Sequence, residues 1–348
     1  MVQTEATPLK FSIIMVARSE TEVQGGLASL QSLESGNGGY EVILSTGNCP
    51  SMQRNRAAKV AQGEFLVFLD NDSEVHPLLL KYYLQGMEVS PQVAVVGGPS
   101  CLKKTANPLS NGIHLVFSSW FGLGPFRSRY QSLGDLRKAT ERDLILCNLC
   151  VKKKVFIAEK GFNENLYPNE ENEFLNRLRD RYEMIHHPRA VVYRQQRGTL
   201  GEFIAQMLRY GKGRVKASLL RTTFLDGIFF IPLVFALYVT GLLFAIALAT
   251  LNGWIVVPLV WSPFYLYLGF TAVASAISAR SERAPLELLR LPFLFFLCHY
   301  WYGVGLVWGL VLAAFCRKLP PQSGEVNANS QVKMLNNRAQ TATTVLES

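Results

Sequence analysis

The stretch Gly63-Glu64-Phe65-Leu66-Val67-Phe68-Leu69-Asp70-Asn71-Asp72-Ser73 decides the fold of this 348-residue chain. Its first half is an apolar run of strand length, which is typical of a strand buried on both faces of a parallel sheet. The run ends at two aspartates separated by one residue. Because ligands bind at the carboxyl ends of strands in open α/β sheets, we expect a binding site there. Two carboxylates on a tight turn predict a site for Mg²⁺ or Mn²⁺, and ordinary turn residues after a strand are the alternative.

Short apolar runs and helix-forming stretches alternate on both sides of this strand. Further strands are predicted at residues 11–16, 40–45, 93–96, 144–151 and 190–193, and helices at 22–33, 53–61, 77–88 and 169–182. Such alternation predicts a doubly wound α/β sheet of the nucleotide-binding kind. The less regular segment 101–143 is expected to form loops that shape a pocket.

The C-terminal third of the chain contains two long uncharged runs, residues 227–279 and 291–315. About 20 apolar residues in a helix cross the roughly 30 Å of hydrocarbon in a bilayer. The runs predict three transmembrane helices, at 227–251, 254–278 and 291–315. The predicted domains are therefore 1–222 (α/β domain, with 200–222 as an amphipathic segment on the membrane surface), 223–318 (membrane domain) and 319–348 (disordered tail). A plain core helix is the alternative at 200–210.

The charge distribution indicates a membrane partner and excludes nucleic acid. The formal net charge is +9, and no nucleic-acid-binding motif is present. Basic residues instead precede the first apolar run, at Arg209, Lys212, Arg214, Lys216 and Arg221. Such clusters lie on the cytoplasmic side and meet anionic membrane lipids. Arg280, Arg283 and Arg290 place the next loop in the cytosol as well, whereas Arg317 and Lys318 disagree with an odd number of spans. The N-terminus has no signal-peptide pattern, and the six cysteines have no metal or disulfide spacing.

A second acidic cluster, Asn169-Glu170-Glu171-Asn172-Glu173, opens a predicted helix. Acidic residues in a first turn complement the helix dipole, so capping is one interpretation. Three glutamates in four positions exceed what a cap needs, and we predict a functional role for them.

Four segments of the sequence carry a resemblance to a known family. They are Gln53-Arg54-Asn55-x-Ala57 with Ala61-x-Gly63-Glu64-x-Leu66-x-Phe68-Leu69-Asp70-x-Asp72, Gly161-Phe162-Asn163-Glu164 with Asn169-Glu170-Glu171-x-Glu173-Phe174, Cys147-Asn148 before Lys152-Lys153-Lys154, and Arg197-Gly198 with Tyr210-Gly211-x-Gly213-Arg214. Over about residues 11–214 the chain resembles the family 2 glycosyltransferases with the GT-A fold. It is most similar to bacterial membrane-bound members that build exopolysaccharide or other surface glycans, which implies the cell inner membrane, several spans and a cytoplasmic catalytic domain.

The resemblance implies an inverting, hexosyltransferase-type enzyme with a DXD motif. A Mg²⁺ or Mn²⁺ ion held by Asp72, with Asp70 assisting, would neutralise the diphosphate of a nucleotide-sugar donor, and a UDP-sugar is the expected donor. A base would deprotonate the acceptor hydroxyl, either Glu171 or its neighbour Glu170. The family pattern more often has Asp where this chain has Glu171, and the choice between the two glutamates stays open.

The resemblance also assigns binding residues for the donor. Arg54 and Asn55 would hold the nucleotide, and the segment from Ala17 through Arg18 to Glu20 would frame its base. Arg197 is a candidate for contact with the diphosphate, because guanidinium binds phosphate bidentately, and an interfacial arginine is the alternative.

The expected reaction is the transfer of one sugar to a lipid-linked acceptor. Processive members carry Gln-x-x-Arg-Trp, whereas here residue 194 is Arg and Gly198 follows Arg197. One alternative is a polyprenyl-phosphate glycosyltransferase, which would need no catalytic base because its acceptor phosphate is already ionised. Another is a non-catalytic membrane partner in a glycan-assembly complex.

Overall fold

The computed structural model of the chain describes residues 9–34, 38–103, 107–219, 227, 230–252, 258–281, 285–315, 331–335 and 342–345. The chain divides into two compact units. The first contains residues 1–103, 128–195 and 321–348, and the second contains 104–127 and 196–320. This division differs from the predicted domains in three places. Residues 104–127 and 196–222 belong to the second unit and not to the α/β domain, and residues 321–348 of the tail belong to the first unit.

The strands and helices have the following bounds. The strands are β1 (Leu9–Ala17), β2 (Gly39–Thr46), β3 (Phe65–Asp70), β4 (Glu74–Val75), β5 (Val93–Gly97), β6 (Ser100–Leu102), β7 (Arg137–Lys138), β8 (Asn148–Lys152), β9 (Glu183–His186), β10 (Val192–Arg194), β11 (Val332–Leu335) and β12 (Ala342–Val345). The helices are α1 (Gln24–Leu30), α2 (Pro50–Val60), α3 (Leu79–Met87), α4 (Pro108–Ser118), α5 (Trp120–Leu123), α6 (Lys153–Ala158), α7 (Glu170–Leu178), α8 (Leu200–Leu219), α9 (Phe230–Asn252), α10 (Ser262–Ser281) and α11 (Glu287–Phe315).

The first unit is built on a mixed sheet, in which the described strands run in the order β12-β11-β2-β1-β3-β8-β5-β9-β7. β1 pairs in parallel with β2 and β3, and β5 pairs in parallel with β9, whereas β8 is antiparallel to both β3 and β5. A small second sheet has the order β4-β10-β6. The carboxyl ends of β1, β2 and β3 therefore share one edge, where the amino end of β8 also lies.

Apolar layers cover both faces of this sheet, as the unbroken apolar run of β3 predicts. Val67 and Leu69 face a cluster with α1 and α3, while Leu66 and Phe68 face a second cluster with α2, α6 and α7. Phe68 packs against the rings of Phe156 and Phe162, with centroids 5.2 Å and 5.1 Å away. Burial on both faces is what fixes β3 in the centre of the sheet.

The observed elements differ from the predicted ones in the middle of the chain and in the tail. Neither β9 nor α6 is predicted, and the segment predicted as loops contains α4 and α5. Part of the tail predicted as disordered, Val332–Leu335, forms β11 and pairs with the free edge of β2. Each of these short elements depends on contacts with distant segments, which local composition does not show.

Among the residues that the structure describes, the second unit has three helices that are long and apolar enough to cross a membrane, at Ile231–Asn252, Pro258–Arg280 and Glu287–Phe315. All three helices overlap the predicted spans at 227–251, 254–278 and 291–315. The Asn252-Gly253 turn between the first two lies partly outside the described residues. α8 is longer than its predicted 200–210, and its buried Phe203 and Met207 show that its apolar side is covered. The Met207 sulfur lies 3.7 Å from the Cys298 sulfur of α11.

Glycines let α8 and α11 approach at backbone distance. A Cβ on Gly211 would lie 2.3 Å from the Tyr302 carbonyl oxygen, and one on Gly305 would lie 2.5 Å from the Leu208 carbonyl oxygen. A Cβ on Gly309 would meet the Val215 side chain at 2.9 Å. Small residues at such contacts are the usual means of close helix packing in membranes.

Candidate active site

The turn after β3 places both aspartates at the carboxyl edge of the sheet. Asp70 is the last residue of β3 and pairs with Val16 of β1. Ser73 closes the turn, because its backbone N–H donates to the Asp70 carbonyl at 3.1 Å and its hydroxyl accepts from the Asp70 N–H at 3.2 Å. Asp70 and Asp72 therefore leave the sheet on one short, hydrogen-bonded loop.

Helix α2 brings a buried arginine to this turn. The helix begins at Pro50, and the Gln53 amide donates to the carbonyl oxygens of Ala17 and Ser45, at the ends of β1 and β2. The next residue, Arg54, donates to Asp70 Oδ1 at 3.1 Å and to Glu170 Oε1 at 3.0 Å. Its side chain is only 5% exposed. Arg54 thus joins the two acidic clusters that the sequence shows separately.

A second arginine binds the same turn from the other side. Arg194, the last residue of β10, donates to Asp70 Oδ2 at 2.9 Å. It also holds Asp72 with two hydrogen bonds, from Nε to Oδ1 at 2.8 Å and from its terminal nitrogen to Oδ2 at 3.1 Å. Such bidentate, charge-assisted pairs are stronger than neutral hydrogen bonds. Arg194 is not among the site residues predicted from the sequence.

The two glutamates of α7 have different surroundings. Glu170 is almost fully buried, and burial raises the pKa of its carboxyl to about 8, with Glu171 and Asp70 adding to the rise and Arg54 opposing it. Glu171 is more exposed, with 12% of its side chain accessible against 2% for Glu170. Its carboxylate accepts from the Asn172 amide at 3.1 Å and lies 4.0 Å from Arg129. The two glutamates, which are both candidates for the base from the sequence, therefore differ in burial.

Asn55 holds the loop that precedes α7. Its amide donates to the Phe162 carbonyl and to Glu164, and its side-chain oxygen accepts from the Phe162 N–H, each at 2.9 Å. Gly161 has a φ of +64° and leaves no room for a Cβ, which would lie 2.5 Å from Asn55. The Asn55 and Gly161-Phe162-Asn163-Glu164 motifs therefore form one structural clasp.

The remaining predicted residues lie in three places. Ala17 is buried at the end of β1, and its carbonyl accepts from Gly47 at 3.0 Å. The Arg18 backbone N–H donates to Glu22 at 3.0 Å, and Glu20 pairs with Lys333 of β11 at 3.1 Å. Arg197 is exposed and belongs to the second unit. Their roles in donor binding stay predictions.

Sequence reasoning missed the partners of the acidic residues. Arg129 and Asn172 hold Glu171. Separately from the acidic residues, the buried Asn148 side chain links three segments: it accepts from the Tyr83 hydroxyl at 2.6 Å and donates to the carbonyls of Pro99 and Ala190. For Arg194, the only available signal was a charged residue closing an apolar strand, at the place where processive family members carry glutamine.

The aspartate pair has the right chemistry for Mg²⁺ or Mn²⁺. Both residues supply hard carboxylate oxygens from one tight turn, and 48% of the Asp72 side chain is exposed to incoming ligands. Within the part of the chain that the structure describes, no group of three or more His, Cys, Asp and Glu side chains could hold a metal. A cation bound to these two carboxylates would need further oxygen ligands.

Comparison with known proteins agrees with this architecture. The mannosyltransferase PcManGT from Pyrobaculum calidifontis, solved in complex with GDP-Man and Mn²⁺, matches with 13% identity, 86% of this chain, 87% of that chain and a TM-score of 0.50. TarS from S. aureus (residues 1–349) matches with 14% identity, 86% of this chain, 92% of that chain and a TM-score of 0.39, and a further TarS structure contains UDP. No curated protein matches the chain significantly.

The fold is that of the GT-A glycosyltransferases, as predicted, and it is followed by apolar C-terminal helices. The model of the family described as Glycosyl transferase family group 2 matches residues 65–312, which is more than half of the sequence. The chain belongs to that family.

Proposed function

We propose that this glycosyltransferase moves one sugar from a nucleotide-diphosphate sugar to a lipid-linked acceptor in surface-glycan synthesis, with inversion at the anomeric carbon. The observation that carries the proposal is the convergence of Asp70, Asp72 and Glu170 on Arg54 and Arg194 at the carboxyl edge of the sheet. Ligands bind at this edge in open α/β folds. Family membership supports the reaction type, and the GT-A relative crystallised with GDP-Man and Mn²⁺ supports a nucleotide-sugar donor.

We assign the donor diphosphate to the edge occupied by Asp70 and Asp72. A Mg²⁺ or Mn²⁺ ion held there would neutralise the negative charge that develops on the leaving diphosphate. Arg54 is engaged by two carboxylates, so its role in this proposal is to position Asp70 and Glu170 rather than to touch the nucleotide. Asn55 likewise positions the loop before α7. A UDP-sugar is the expected donor, and a GDP-sugar is the alternative because PcManGT was solved in complex with GDP-Man.

Glu171 is the proposed catalytic base. A base must reach the acceptor hydroxyl, and Glu171 is the more accessible of the two glutamates. The Asn172 amide and Arg129 hold its carboxylate in a defined orientation. Glu170 instead is buried against Arg54, and its raised pKa of about 8 keeps it mostly protonated at neutral pH. In this assignment Glu170 maintains the geometry and Glu171 accepts the proton.

The membrane supplies the acceptor in this proposal. Three helices long and apolar enough to cross a bilayer follow the catalytic unit, and exposed basic residues on α8 would meet anionic headgroups or lipid phosphates. A lipid-linked acceptor would be concentrated at that surface. The protein would be a multi-pass protein of the bacterial inner membrane, with its catalytic unit in the cytoplasm, as in exopolysaccharide-type family members.

The test of this function is a donor screen with the full-length protein in detergent. UDP-, GDP- and dTDP-sugars are offered with Mn²⁺ or Mg²⁺, with and without polyprenyl lipid extract, and nucleotide release is measured. We expect release from one donor, dependent on the metal and increased by the lipid. Donor binding without release from any mixture would favour the non-catalytic partner.

Two variants separate the assigned roles. Asp72→Asn should reduce turnover by about 100-fold or more, because the cation that would neutralise the leaving diphosphate would lose one of its two carboxylate ligands. Glu171→Gln should abolish transfer while the dissociation constant of the donor stays unchanged. Turnover at the wild-type rate by Glu171→Gln would refute the base assignment, and activity that survives loss of both glutamates would favour transfer to a lipid phosphate.

A further inference from the structure

Arg194 occupies the position where the cation of the proposed reaction would bind. Both oxygens of Asp72 and one oxygen of Asp70 accept hydrogen bonds from its guanidinium, at 2.8 to 3.1 Å. The remaining Asp70 oxygen accepts from Arg54. Each carboxylate oxygen of the pair is therefore already bound to a positive group.

A divalent ion and this guanidinium cannot share the pair in the present arrangement. Magnesium-type ions bind oxygen at about 2.1 Å, so an ion on Asp72 would lie beside guanidinium nitrogens that are bonded to the same oxygens. The two positive groups would repel each other at short range, in a site partly shielded from water. One of them has to leave the carboxylates.

The geometry shows which arginine can leave. Arg54 is 5% exposed and is held by Glu170 as well as Asp70. Arg194 is 22% exposed, and its contact with Asp72 lies on the half-exposed side of the turn. Its backbone is fixed by pairing with Leu102 and by the hydrogen bond from Lys103, so the side chain alone has to rotate.

We propose that Arg194 and a divalent cation are alternative occupants of Asp70 and Asp72, so that Arg194 sets the metal affinity of the site. The proposal rests on the proposed function, in which this pair binds the metal. Once released, the guanidinium can bind the diphosphate of the donor, because it pairs with phosphate as it does with carboxylate. Metal and nucleotide should then favour each other's binding, since both require the same rotation.

The test measures Mn²⁺ binding by electron paramagnetic resonance, with the full-length protein in detergent. Arg194→Gln should bind Mn²⁺ about tenfold more tightly than wild type or better, within the usual range for coupled events. Arg194→Lys, which keeps the charge but loses the bidentate pair, should lie between them and also serves if the glutamine variant does not fold. Arg189→Gln removes an equal charge from an exposed loop position and should match wild type.

A second measurement adds UDP or GDP to the same samples. The nucleotide should tighten Mn²⁺ binding in wild type more than in Arg194→Gln, a difference that a merely structural role for Arg194 would not produce. Equal or weaker Mn²⁺ affinity in the folded Arg194 variants would overturn the proposal, as would absence of Mn²⁺ binding in every variant. If wild type shows metal-dependent turnover but the Arg194 variants have unchanged Mn²⁺ affinity, only this inference fails. If the Mn²⁺ affinity changes but no donor is used, the proposed function fails instead.

The C-terminal strand supports an independent inference about the membrane helices. β11 pairs with β2 from Val332↔Ser45 to Leu335↔Val42, and the Thr46 N–H donates to the Gln331 carbonyl at 3.0 Å. Val332 is buried in the core of the first unit. A strand cannot pair with a sheet on the other side of a bilayer, so the chain must cross an even number of times between β2 and β11.

Helix α11 is the one that fits a position along the membrane surface. Its Gly305 and Gly309 contact α8 between Leu208 and Val215, and the same segment of α8 carries the exposed Arg209 and Lys212. Charges of this kind are costly in the middle of a bilayer. Basic residues also flank α11 in the sequence, with Arg290 in its first turn and Arg317 and Lys318 after its end. Such residues favour the cytoplasmic side at both ends.

We infer that α9 and α10 cross the membrane as a pair, whereas α11 lies with α8 at the cytoplasmic surface. The test places one epitope at the N-terminus and another at the C-terminus of the full-length protein, in sealed vesicles of known orientation. Both epitopes should be digested by added protease in inside-out vesicles and protected in right-side-out ones. Opposite sensitivity of the two epitopes would overturn the inference.

Discussion

Two tightly packed regions of this protein are held together in different ways: the charged network at the edge of the sheet and the contact between α8 and α11. At the carboxyl edge of the sheet, α2, β3, α7 and β10 bring charges together, and Arg54 and Arg194 hold Asp70 and Glu170 through defined hydrogen bonds. Between α8 and α11 the close approach depends on small residues, because Gly211 and Gly305 allow the backbones to touch. The first region is held by the charged side chains that are present, and the second is close-packed because its glycines lack a Cβ atom.

The difference predicts how each region fails. Removal of one partner from a buried charged network leaves another charge without compensation, which is costly even if nothing else moves. Addition of a single methyl group to a helix contact forces the backbones apart, although no polar group is lost. The effect of each substitution is measured by thermal or denaturant unfolding in detergent, monitored by tryptophan fluorescence.

Arg54→Ala should have the largest effect, a loss of about 3–5 kcal/mol of unfolding free energy, because it removes the buried cation that Asp70 and Glu170 both bind. Adding Glu170→Gln to this variant should restore part of the loss at pH 9, above the raised pKa of Glu170, where the glutamate would otherwise carry a buried charge. A change below about 1 kcal/mol in the single variant would show that the network is not strongly coupled.

Asn148→Leu should cost slightly less, about 2–4 kcal/mol, because three hydrogen bonds end on this buried side chain and their partners become unsatisfied. The matched variant Tyr83→Phe removes only one of these bonds and should cost about 1 kcal/mol. Equal effects of the two variants would mean that the backbone carbonyls of Pro99 and Ala190 find other donors.

Gly211→Ala should destabilise the protein by about 1–3 kcal/mol, because the new Cβ would overlap the Tyr302 carbonyl of α11. Gly241→Ala in α9 is the control, since nothing lies within 4 Å of its Cβ position. Alanine is the better helix former, so the control should be neutral or stabilising by up to about 1 kcal/mol. Similar destabilisation of both variants would argue against the close approach of α8 and α11.

At pH 5 Glu170→Gln should have the smallest effect, because Glu170 is then protonated in the folded protein, and the effect should grow as pH rises. The pKa of Glu170 is raised from 4.5 to about 8, so between these values the folded protein holds a proton that the unfolded chain releases. The stability of wild type should therefore fall relative to that of the variant as pH rises from 4.5 through 8. Melting temperatures recorded from pH 5 to pH 9 test this, and parallel curves for the two proteins would contradict the assignment.

Local patterns in the sequence predict the fold class because they reflect local physics. The apolar run of β3 must be buried on both faces, and the aspartates that end it must lie at the carboxyl edge, whatever their partners are. Long uncharged segments such as Phe230–Asn252 likewise predict apolar helices without reference to the rest of the chain. The α/β fold class follows from such features, and so does the prediction that the candidate site lies at that edge.

Only the tertiary structure decided which groups pair. Arg54 and Glu170 are 116 residues apart, and Arg194 meets Asp72 across 122 residues, so no local pattern links them. The same holds for β11, whose short segment becomes a strand only because β2 offers a free edge. Composition determines what each segment can bury, whereas the partners of charges and strand edges depend on which distant segments the folded chain brings within hydrogen-bonding distance.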